Sequence, residues 1–480
     1  MNEQFLHYIW KFQYFDKNNL LTEEGEELQI ISAGIHNHDA GADFEDAVLK
    51  IGSKQKQTKW QGTIEIDTYG FNWESHHHAT NEAYENVVLH VVWKNPKEVF
   101  RKNGSKVSVL VLENRIDERL WLKYQEFLRN EHKIPCQGYW NEGTISNNNI
   151  ELIASFEKMM SRTLDERLIR KSQHILSLLE RNGYDWEETS YQVLLEHFGF
   201  KKNNAPFLQL AKELPFKIIK KHANQISQIE ALLYGMAGFL LEENKDKIKL
   251  LVENNFDCQS KNLNLEQDLL QNQLDKELHY FEGLQKEFRF LSHKYSLQDK
   301  EVNLAQWKFL RLRPSNFPTV RIAQVIGLVS QQNHLFSIIL NAKKLKEFYE
   351  FFKTELPTYW KTHYNFGKLN KQEEDGTFKE NSTLGKDAQQ NLIINVVIPI
   401  RVAHSLYRQK EDVLPKIWLN ELKTEKNSVI SLYKPLEKIN NSAFKIKTAA
   451  QSQSLLELYS QYCNPKKCLS CEVGREVLKK

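Results

Sequence analysis

The spacing at which hydrophobic residues recur changes once along this chain of 480 residues, from mainly strand-like to helical. That change limits the folds that the chain can adopt. Near the N-terminus, a helical pattern in EQFLHYIWKFQYF (3–15) precedes short runs rich in β-branched and aromatic residues, which predict strands. From about residue 146 onwards, the apolar residues recur mostly at helical spacing. We therefore expect an α+β protein, in which a small mixed-sheet domain is followed by a large, mainly α-helical domain.

The same patterns set the domain boundaries. We expect an α/β domain at 1–118, a linker with Cys136 at 119–145, a helical domain at 146–455 and a cysteine-rich C-terminal segment at 456–480. The first domain should contain a helix, three strands, a helix or helical turns, and two more strands. The five predicted strands cover 27–32, 46–52, 59–69, 87–93 and 107–113.

Composition argues against several classes of protein. The net charge is only +3, from 65 Lys and Arg against 62 Asp and Glu, so charge balance requires no polyanionic partner. Five cysteines in a chain of this length do not make a disulfide scaffold. The N-terminal residues lack the order of a signal peptide, and the longest apolar runs are shorter than the roughly 20 residues of a membrane span. We expect a cytoplasmic protein without membrane contact, and its oligomeric state stays open.

Three carboxylates lie on two adjacent predicted strands. Asp43 opens one strand-like run. Glu65 and Asp67 stand two residues apart in the next run, and Glu65 and Asp67 therefore lie on the same face of their strand. If the strands pair as a hairpin through GSKQKQTK (52–59), Asp43 comes near the Glu65 end of its neighbour. Such oxygens suit Mg²⁺ or Mn²⁺, which activates water and stabilises charge on a phosphate. The alternative is a solvated hairpin face without a metal.

The order of elements and these acids resembles the PD-(D/E)xK nuclease superfamily. Asp43 and Glu65 stand where that superfamily has its metal-binding acids, Asp67 stands where it has a catalytic Lys, and Ala42 replaces a frequent Pro. The resemblance implies a Mg²⁺- or Mn²⁺-dependent nuclease that hydrolyses phosphodiester bonds in DNA or RNA. Because the Lys is missing, a second interpretation is a non-catalytic nucleic-acid-binding or scaffold protein on a degenerate nuclease fold.

Longer blocks, in the same order, are similar to a bacterial family known only as a domain of unknown function. The similarity covers nearly the whole chain and implies no activity. The blocks are GIHNHDAGADF (34–44), WQGTIEID (60–67), NWESHHHATNEAYENVVLHVVW (72–93), WKFLRLRPSNFPTVRIAQ (307–324) and CLSCEVG (468–474).

Histidines are concentrated in the first hundred residues. A tract of three occupies 76–78, and His36, His38 and His90 lie in the same region. An imidazole of His76 or His78 at the sheet edge is a candidate general base in place of the missing Lys, or a metal ligand. A metal-dependent hydrolase built on these histidines is therefore a third hypothesis, and an exposed tract without a role is the alternative.

The C-terminal segment carries a metal-binding pattern. Cys463, Cys468 and Cys471 form C-x4-C-x2-C, and thiolates at this spacing can hold one soft metal or a cluster. Cys136 is the best candidate for a fourth ligand, and Cys258 is the next. Zn²⁺ and a 4Fe–4S cluster fit the spacing equally well, and either is expected to be structural. The alternative is a set of reduced, packed thiols.

The helical half contains a candidate nucleic-acid-binding segment, WKFLRLRPSNFPTVR (307–321). Its three arginines, Arg311, Arg313 and Arg321, surround two prolines and several aromatic residues. Guanidinium groups suit phosphates and aromatic faces suit unpaired bases, so DNA or RNA is the expected partner. The alternative is that these side chains cover helix faces.

Overall fold

The structure is a computed structural model of the chain. It describes residues 1–37, 41–53, 56–129, 132–139, 147–255, 263–332, 334–373, 377–381, 383–439 and 445–479.

In the described residues, nine strands form two sheets. In chain order they are β1 (Glu27–Ser32), β2 (Ile35–His36), β3 (Phe44–Ser53), β4 (Lys56–Tyr69), β5 (Val87–Lys94), β6 (Val99–Phe100), β7 (Lys106–Val111), β8 (His363–Asn365) and β9 (Lys368–Leu369). The first seven make one mixed sheet in the order β1–β3–β4–β5–β7–β6, with β2 paired to β3, whereas β8 and β9 pair with each other. β3 runs antiparallel to β1 and β4, and β5 runs parallel to β4 and β7.

Twenty α-helices account for most of the remaining described chain. They are α1 (Glu3–Phe12), α2 (Asn72–Ser75), α3 (Glu118–Arg129), α4 (Asn147–Arg181), α5 (Trp186–Phe198), α6 (Asn204–Glu213), α7 (Phe216–Lys220), α8 (Ile226–Met236), α9 (Glu242–Asn255), α10 (Leu263–Tyr295), α11 (Pro318–Gln331), α12 (Leu335–Asn341), α13 (Leu345–Phe351), α14 (Thr358–Thr362), α15 (Lys386–Leu392), α16 (Ile398–Arg408), α17 (Leu414–Glu421), α18 (Ser428–Ile439), α19 (Ala449–Leu458) and α20 (Glu472–Lys479).

The predicted α+β class is confirmed. The N-terminal sheet contains all five predicted strands, and the predicted hairpin joins β3 to β4, with Ser53 opposite Lys56. Within the part predicted to be helical, residues 205–242 do not form one continuous helix but contain three separate helices and the start of a fourth. Pro215 explains one of the breaks, since a proline has no N–H for the helix ladder and here precedes the first residue of α7.

The chain divides into two compact units. Unit 1 consists of Met1–Thr163, Asn427–Lys445 and Leu455–Lys480, and unit 2 consists of Leu164–Lys426 and Ile446–Ser454. The seven-stranded sheet and the three C-terminal cysteines therefore belong to unit 1. Within the described chain, no helix is both long enough and apolar enough to cross a membrane.

The parallel pairing of β4 and β5 requires a crossover, which residues 70–86 provide. This segment contains α2 and two short 3₁₀ helices, at His78–Thr80 and Glu82–Tyr84. Trp73 of α2 is fully buried in an apolar cluster with residues such as Val87 and Val109, and its indole N–H donates to the Phe100 carbonyl at 3.1 Å. This anchor holds the crossover, and with it the histidine tract, against the sheet.

Candidate metal centre

A β-bulge and the β3–β4 hairpin bring Asp43, Glu65 and Asp67 to one region of unit 1. The register of β3 against β4 shifts between Phe44 and Ala47, where Asp46 adopts a positive φ of 55°. Bulges of this kind re-aim neighbouring side chains. Just before the bulge, Asp43 accepts a hydrogen bond at 2.9 Å from the backbone N–H of Ile66, the residue between Glu65 and Asp67. The expected proximity of Asp43 to the two acids of β4 is therefore present.

Asp67 is fully buried, and its two carboxylate oxygens differ in hydrogen bonding. Its Oδ2 lies 3.0 Å from Nε2 of His90 on β5, with which it forms a hydrogen bond. Its Oδ1 has no hydrogen-bond partner among the described residues, although Nδ1 of His76 lies 3.5 Å away. An unsatisfied buried polar atom costs about 1–3 kcal/mol, and more when the group is charged. Oδ1 is therefore a strong candidate for contact with a ligand.

Glu65 is also buried, with 5% of the residue exposed. Its Oε1 lies 3.0 Å from Nε2 of His78, and its Oε2 has no hydrogen-bond partner in the described part of the chain. Burial raises the pKa of Glu65 to about 9, and the charges of Asp43 and Asp67 contribute to the rise. Without a cation, this carboxyl group is therefore protonated at neutral pH, because its charge has no compensation.

His78 lies over the two acids of β4 and is packed between aromatic rings. Its ring stacks on Tyr84 at a centroid distance of 3.9 Å and meets Trp73 edge-on at 5.4 Å. Neither ring nitrogen forms a hydrogen bond with a described residue, since the approach to Glu65 is close but not aligned. Burial lowers the pKa of His78 despite the opposing charges of Asp67 and Asp43. The imidazole is therefore neutral at physiological pH, the form in which histidine binds metals.

Two groups of three potential ligands are close enough to share a cation. The atoms of Asp67, His76 and His78 lie within 4.8 Å of one another, and we call these residues the Asp67 cluster. Glu3, His7 and Asp43 meet the same criterion and are called the Asp43 cluster. Glu65 is in neither group but contacts His78 of the first. All five predicted catalytic residues are thus near one another, although Asp43 and Asp67 belong to different clusters.

In the Asp43 cluster, α1 contributes a histidine that the sequence analysis did not identify. Nε2 of His7 lies 3.2 Å from Oδ2 of Asp43 and 3.7 Å from Glu3. Burial lowers the pKa of His7, but the nearby carboxylates of Asp43 and Glu3 outweigh burial and give a net rise. The spacing of Glu3 and His7, four residues apart on a helix, is the only sequence signal for this pair, and it is common.

The ligand set fits a divalent cation that accepts both oxygen and nitrogen. Glu65 Oε2, Asp67 Oδ1 and both ring nitrogens of His78 are buried polar atoms without a described hydrogen-bond partner, and they lie on residues that contact one another. Imidazole ligands suit Mn²⁺ and other transition metals better than Mg²⁺, which prefers oxygen and water. The chemistry of the donors therefore favours Mn²⁺ over Mg²⁺.

The predicted nucleic-acid-binding arginines lie in unit 2 and differ in environment. Arg311, which has a positive φ of 61°, and Arg313 are exposed ahead of α11. Arg321 is buried, donates to Asn316 and Gln324, and places its guanidinium carbon 4.2 Å from the centre of the Phe200 ring. The first two arginines are thus accessible to a partner, whereas Arg321 packs inside unit 2.

The predicted cysteine ligands all lie in unit 1. Cys463, Cys468 and Cys471 are buried free thiols, and Cys136 is half-buried in the segment after α3. Cys258, the alternative fourth ligand, and His38 of the histidine group lie outside the described residues.

Comparison with known proteins gives a family but no activity. The family model described as "Protein of unknown function (DUF2851)" matches residues 3–275 and 267–428. No curated protein and no solved structure matches the chain. The family match spans the sheet, the histidine tract and most of the helices. The chain therefore belongs to this family of proteins of unknown function.

Proposed function

We propose that this protein is a metal-dependent nuclease that hydrolyses phosphodiester bonds in DNA or RNA. One observation carries the proposal: two buried carboxylates and a buried neutral imidazole present atoms without a described hydrogen-bond partner to the same small region. Proteins rarely leave such atoms unsatisfied, because each costs free energy. A bound cation would satisfy one atom on each of these three residues, including one of the two ring nitrogens of His78.

The proposed ligands are Asp67, His76, His78 and Glu65. Three of them are buried, whereas the side chain of His76 is 47% exposed, so the substrate would approach from the His76 side. A divalent cation held there supplies a Lewis acid that lowers the pKa of water and neutralises charge on a phosphate. His90 is a positioning residue, because its hydrogen bond fixes Oδ2 of Asp67 and leaves Oδ1 for the cation.

The Asp43 cluster supplies proton transfer in this proposal. Asp43 and Glu3 raise the pKa of His7, which favours the protonated imidazole beside the acids, and Asp43 lies 3.2 Å from that imidazole. His7 would donate a proton to the leaving oxygen of the phosphodiester from Nδ1, the ring nitrogen that does not face Asp43. Asp43 would also hold β4 in place through its hydrogen bond to Ile66. This division of roles gives the chain a proton donor even though Asp67 replaces the expected Lys.

A phosphodiester substrate is supported by the order of the elements and by exposed arginines. The helix, antiparallel strands and parallel crossover strand follow the order that the PD-(D/E)xK resemblance implies, with acids at the corresponding positions. Arg311 and Arg313 offer exposed guanidinium groups for phosphates. The buried cysteines that form no disulfide support a protein that acts in the reducing cytoplasm.

A second candidate function is favoured by the Asp67 cluster itself. Two histidines and one carboxylate also form the ligand set of some zinc-dependent hydrolases with other substrates. This candidate requires the same cation but no affinity for nucleic acid.

Cleavage of labelled single- and double-stranded DNA and RNA, with Mn²⁺ or Mg²⁺, tests the proposed function. The wild-type protein should cut at least one substrate, with Mn²⁺ more effective than Mg²⁺. Asp67→Asn should abolish cutting, whereas Asp46→Asn, an exposed acid in the β3 bulge, should not change it. If binding occurs without cutting, the protein is the non-catalytic nucleic-acid-binding form instead. If neither occurs while Mn²⁺ still binds, the second candidate replaces the nuclease.

A further inference from the structure

Unit 1 contains a second group of side chains that can bind a metal, and these are cysteines, separate from the carboxylates. Cys463 ends a π-helical turn (Tyr459–Cys463), and Cys468 begins a 3₁₀ helix (Cys468–Ser470) directly before Cys471. All three residues are at least 92% buried, yet none forms a disulfide. π-Helical turns are rare and frequently occur at functional sites.

The helix α3 brings Cys136 and the C-terminal cysteines to the same part of unit 1. After α3, the turn of Cys136 packs back through Tyr139, whose hydroxyl donates to Glu126 at 2.6 Å and whose ring meets Phe127 at 5.5 Å. Lys466, inside the C-x4-C loop, donates to the carbonyl of Leu128 at 2.5 Å. Both segments are thus attached to the C-terminal half of α3.

The four sulfurs interact electrostatically. Burial raises the pKa of Cys463 and of Cys468, and the charges of Cys136 and Cys471 raise both further. As neutral thiols these residues can be buried at little cost, whereas a metal would bind them as thiolates and displace their protons.

Local backbone geometry is shaped around these sulfurs. Backbone N–H groups of Val473 and Gly474 lie near the sulfur of Cys471 and oppose the rise that burial causes in its pKa. A Cβ atom at Gly474 would stand 2.2 Å from the carbonyl oxygen of Cys468, so only glycine allows this close return of the chain. The hydroxyl of Tyr433 donates to the sulfur of Cys463 at 3.3 Å. Hydrogen bonds to sulfur tune thiolate ligands of metal clusters.

The arrangement of the sulfurs favours a cluster over a single ion. Four thiolates at 2.3 Å from one Zn²⁺ stand about 3.8 Å apart. Among the described residues, ligand atoms gather in threes within 4.8 Å only in the Asp67 and Asp43 clusters, and no cysteine takes part. In a cubane cluster the thiolates stand farther apart, because each binds a different iron.

We propose that Cys136, Cys463, Cys468 and Cys471 bind a [4Fe–4S] cluster that fastens the C-terminal segment to the segment after α3. The cluster is structural and independent of the proposed nuclease chemistry.

Anaerobic purification of the full chain, followed by metal analysis and visible absorption spectroscopy, tests this proposal. The wild-type protein should contain about four iron atoms and matching sulfide per chain and show the broad absorption of an iron–sulfur cluster. Cys468→Ser and Cys136→Ser should each lose most of the iron. Cys258→Ser is the matched control, because it changes the fifth cysteine, and it should retain the cluster.

Two results would overturn the proposal even if the serine variants fail to fold. One is a wild-type protein with a single zinc per chain and no iron. The other is a wild-type protein that takes up no iron when it is incubated anaerobically with Fe²⁺ and sulfide. Loss of iron in Cys258→Ser but not in Cys136→Ser would contradict the assignment of Cys136.

Discussion

His90 Nε2 lies 3.0 Å from Asp67 Oδ2, and this contact leaves the other oxygen of a fully buried carboxylate, Oδ1, without a hydrogen-bond partner among the described residues. The two residues lie on neighbouring parallel strands, where Asp67 is paired in register with Val92, two residues beyond His90. Such a histidine holds one oxygen and so directs the second towards a cation.

We predict that His90→Gln lowers the affinity for Mn²⁺ about 10- to 100-fold, as loss of a residue that orients a ligand typically does. Calorimetric titration with Mn²⁺ measures the change. The control is His279→Gln, which alters an exposed histidine of unit 2 and should leave the affinity unchanged. Equal affinity in wild type and His90→Gln would remove His90 from the proposed site.

The protonated state of Glu65 makes stability depend on pH. Its pKa is about 9 in the folded protein against 4.5 as the ordinary value, so between these pH values the folded state holds a proton that the unfolded state has lost. The contribution of Glu65 to the stability of the metal-free protein therefore falls as the pH rises between these two pKa values.

We predict that Glu65→Gln removes this fall and raises the free energy of unfolding of the metal-free protein at about pH 8 by at least ~1 kcal/mol. Urea unfolding in the presence of a chelator, across the same pH range, measures the effect. Glu45→Gln, an exposed acid on β3, serves as control. Identical pH dependence in wild type and Glu65→Gln would show that Glu65 is ionised in the folded protein.

The two clusters are expected to differ in what they do. His78→Ala should lose most of the Mn²⁺ affinity, because it removes a buried ligand. His7→Gln should keep Mn²⁺ binding but lower the cleavage rate about 10²- to 10⁴-fold, the usual effect of removing a general acid. Cleavage rates measured at saturating Mn²⁺, together with Mn²⁺ titrations, separate the two effects.

His77→Asn is the matched control for these histidine variants. His77 is exposed and has a positive φ of 61°, a conformation that asparagine tolerates. A His7→Gln variant with an unchanged cleavage rate would show that protons come from elsewhere.

The three arginines should separate into surface and core roles. Arg311→Ala and Arg313→Ala should each change the free energy of unfolding by less than about 0.5 kcal/mol. Each should also make the affinity for nucleic acid less dependent on salt, by the amount that corresponds to the loss of about one phosphate contact. Arg321→Ala should instead lower the free energy of unfolding by about 2–4 kcal/mol, because it removes buried hydrogen bonds and a ring contact.

Fluorescence anisotropy at several salt concentrations, beside urea unfolding, tests this separation. An Arg321→Ala protein of normal stability that binds nucleic acid poorly would assign Arg321 to the interface.

Local patterns predicted much of the fold. Alternation of apolar residues located all five longer strands of the mixed sheet, and a short polar link between two such runs indicated the β3–β4 hairpin. Because side chains alternate across a strand, the shared face of Glu65 and Asp67 also followed from the sequence. Residues 427–445 belong to unit 1 with the sheet, far from it in sequence, and this grouping follows from packing and has no local sequence signal.

The sequence could not identify the residues that complete the site. His7 reaches Asp43 from α1, and His90 reaches Asp67 through the parallel register of β4 and β5. Both contacts depend on how elements pack, and a histidine on an apolar strand or helix carries no local signal of its partner. Similarly, the burial of Arg321 follows from the packing of Phe200 against it, which the arginine-rich segment does not reveal.

Direct titration of the protein with Mn²⁺, at neutral pH and in two buffers of different ionisation enthalpy, tests the central claim that the buried acids and imidazoles form a cation site. We predict that the wild type binds Mn²⁺ and releases a proton from Glu65 as it does so, because the cation displaces the proton. Asp67→Asn should lose binding, and Asp46→Asn should keep it. Equal Mn²⁺ binding by wild type and Asp67→Asn, or binding by neither, would contradict the account.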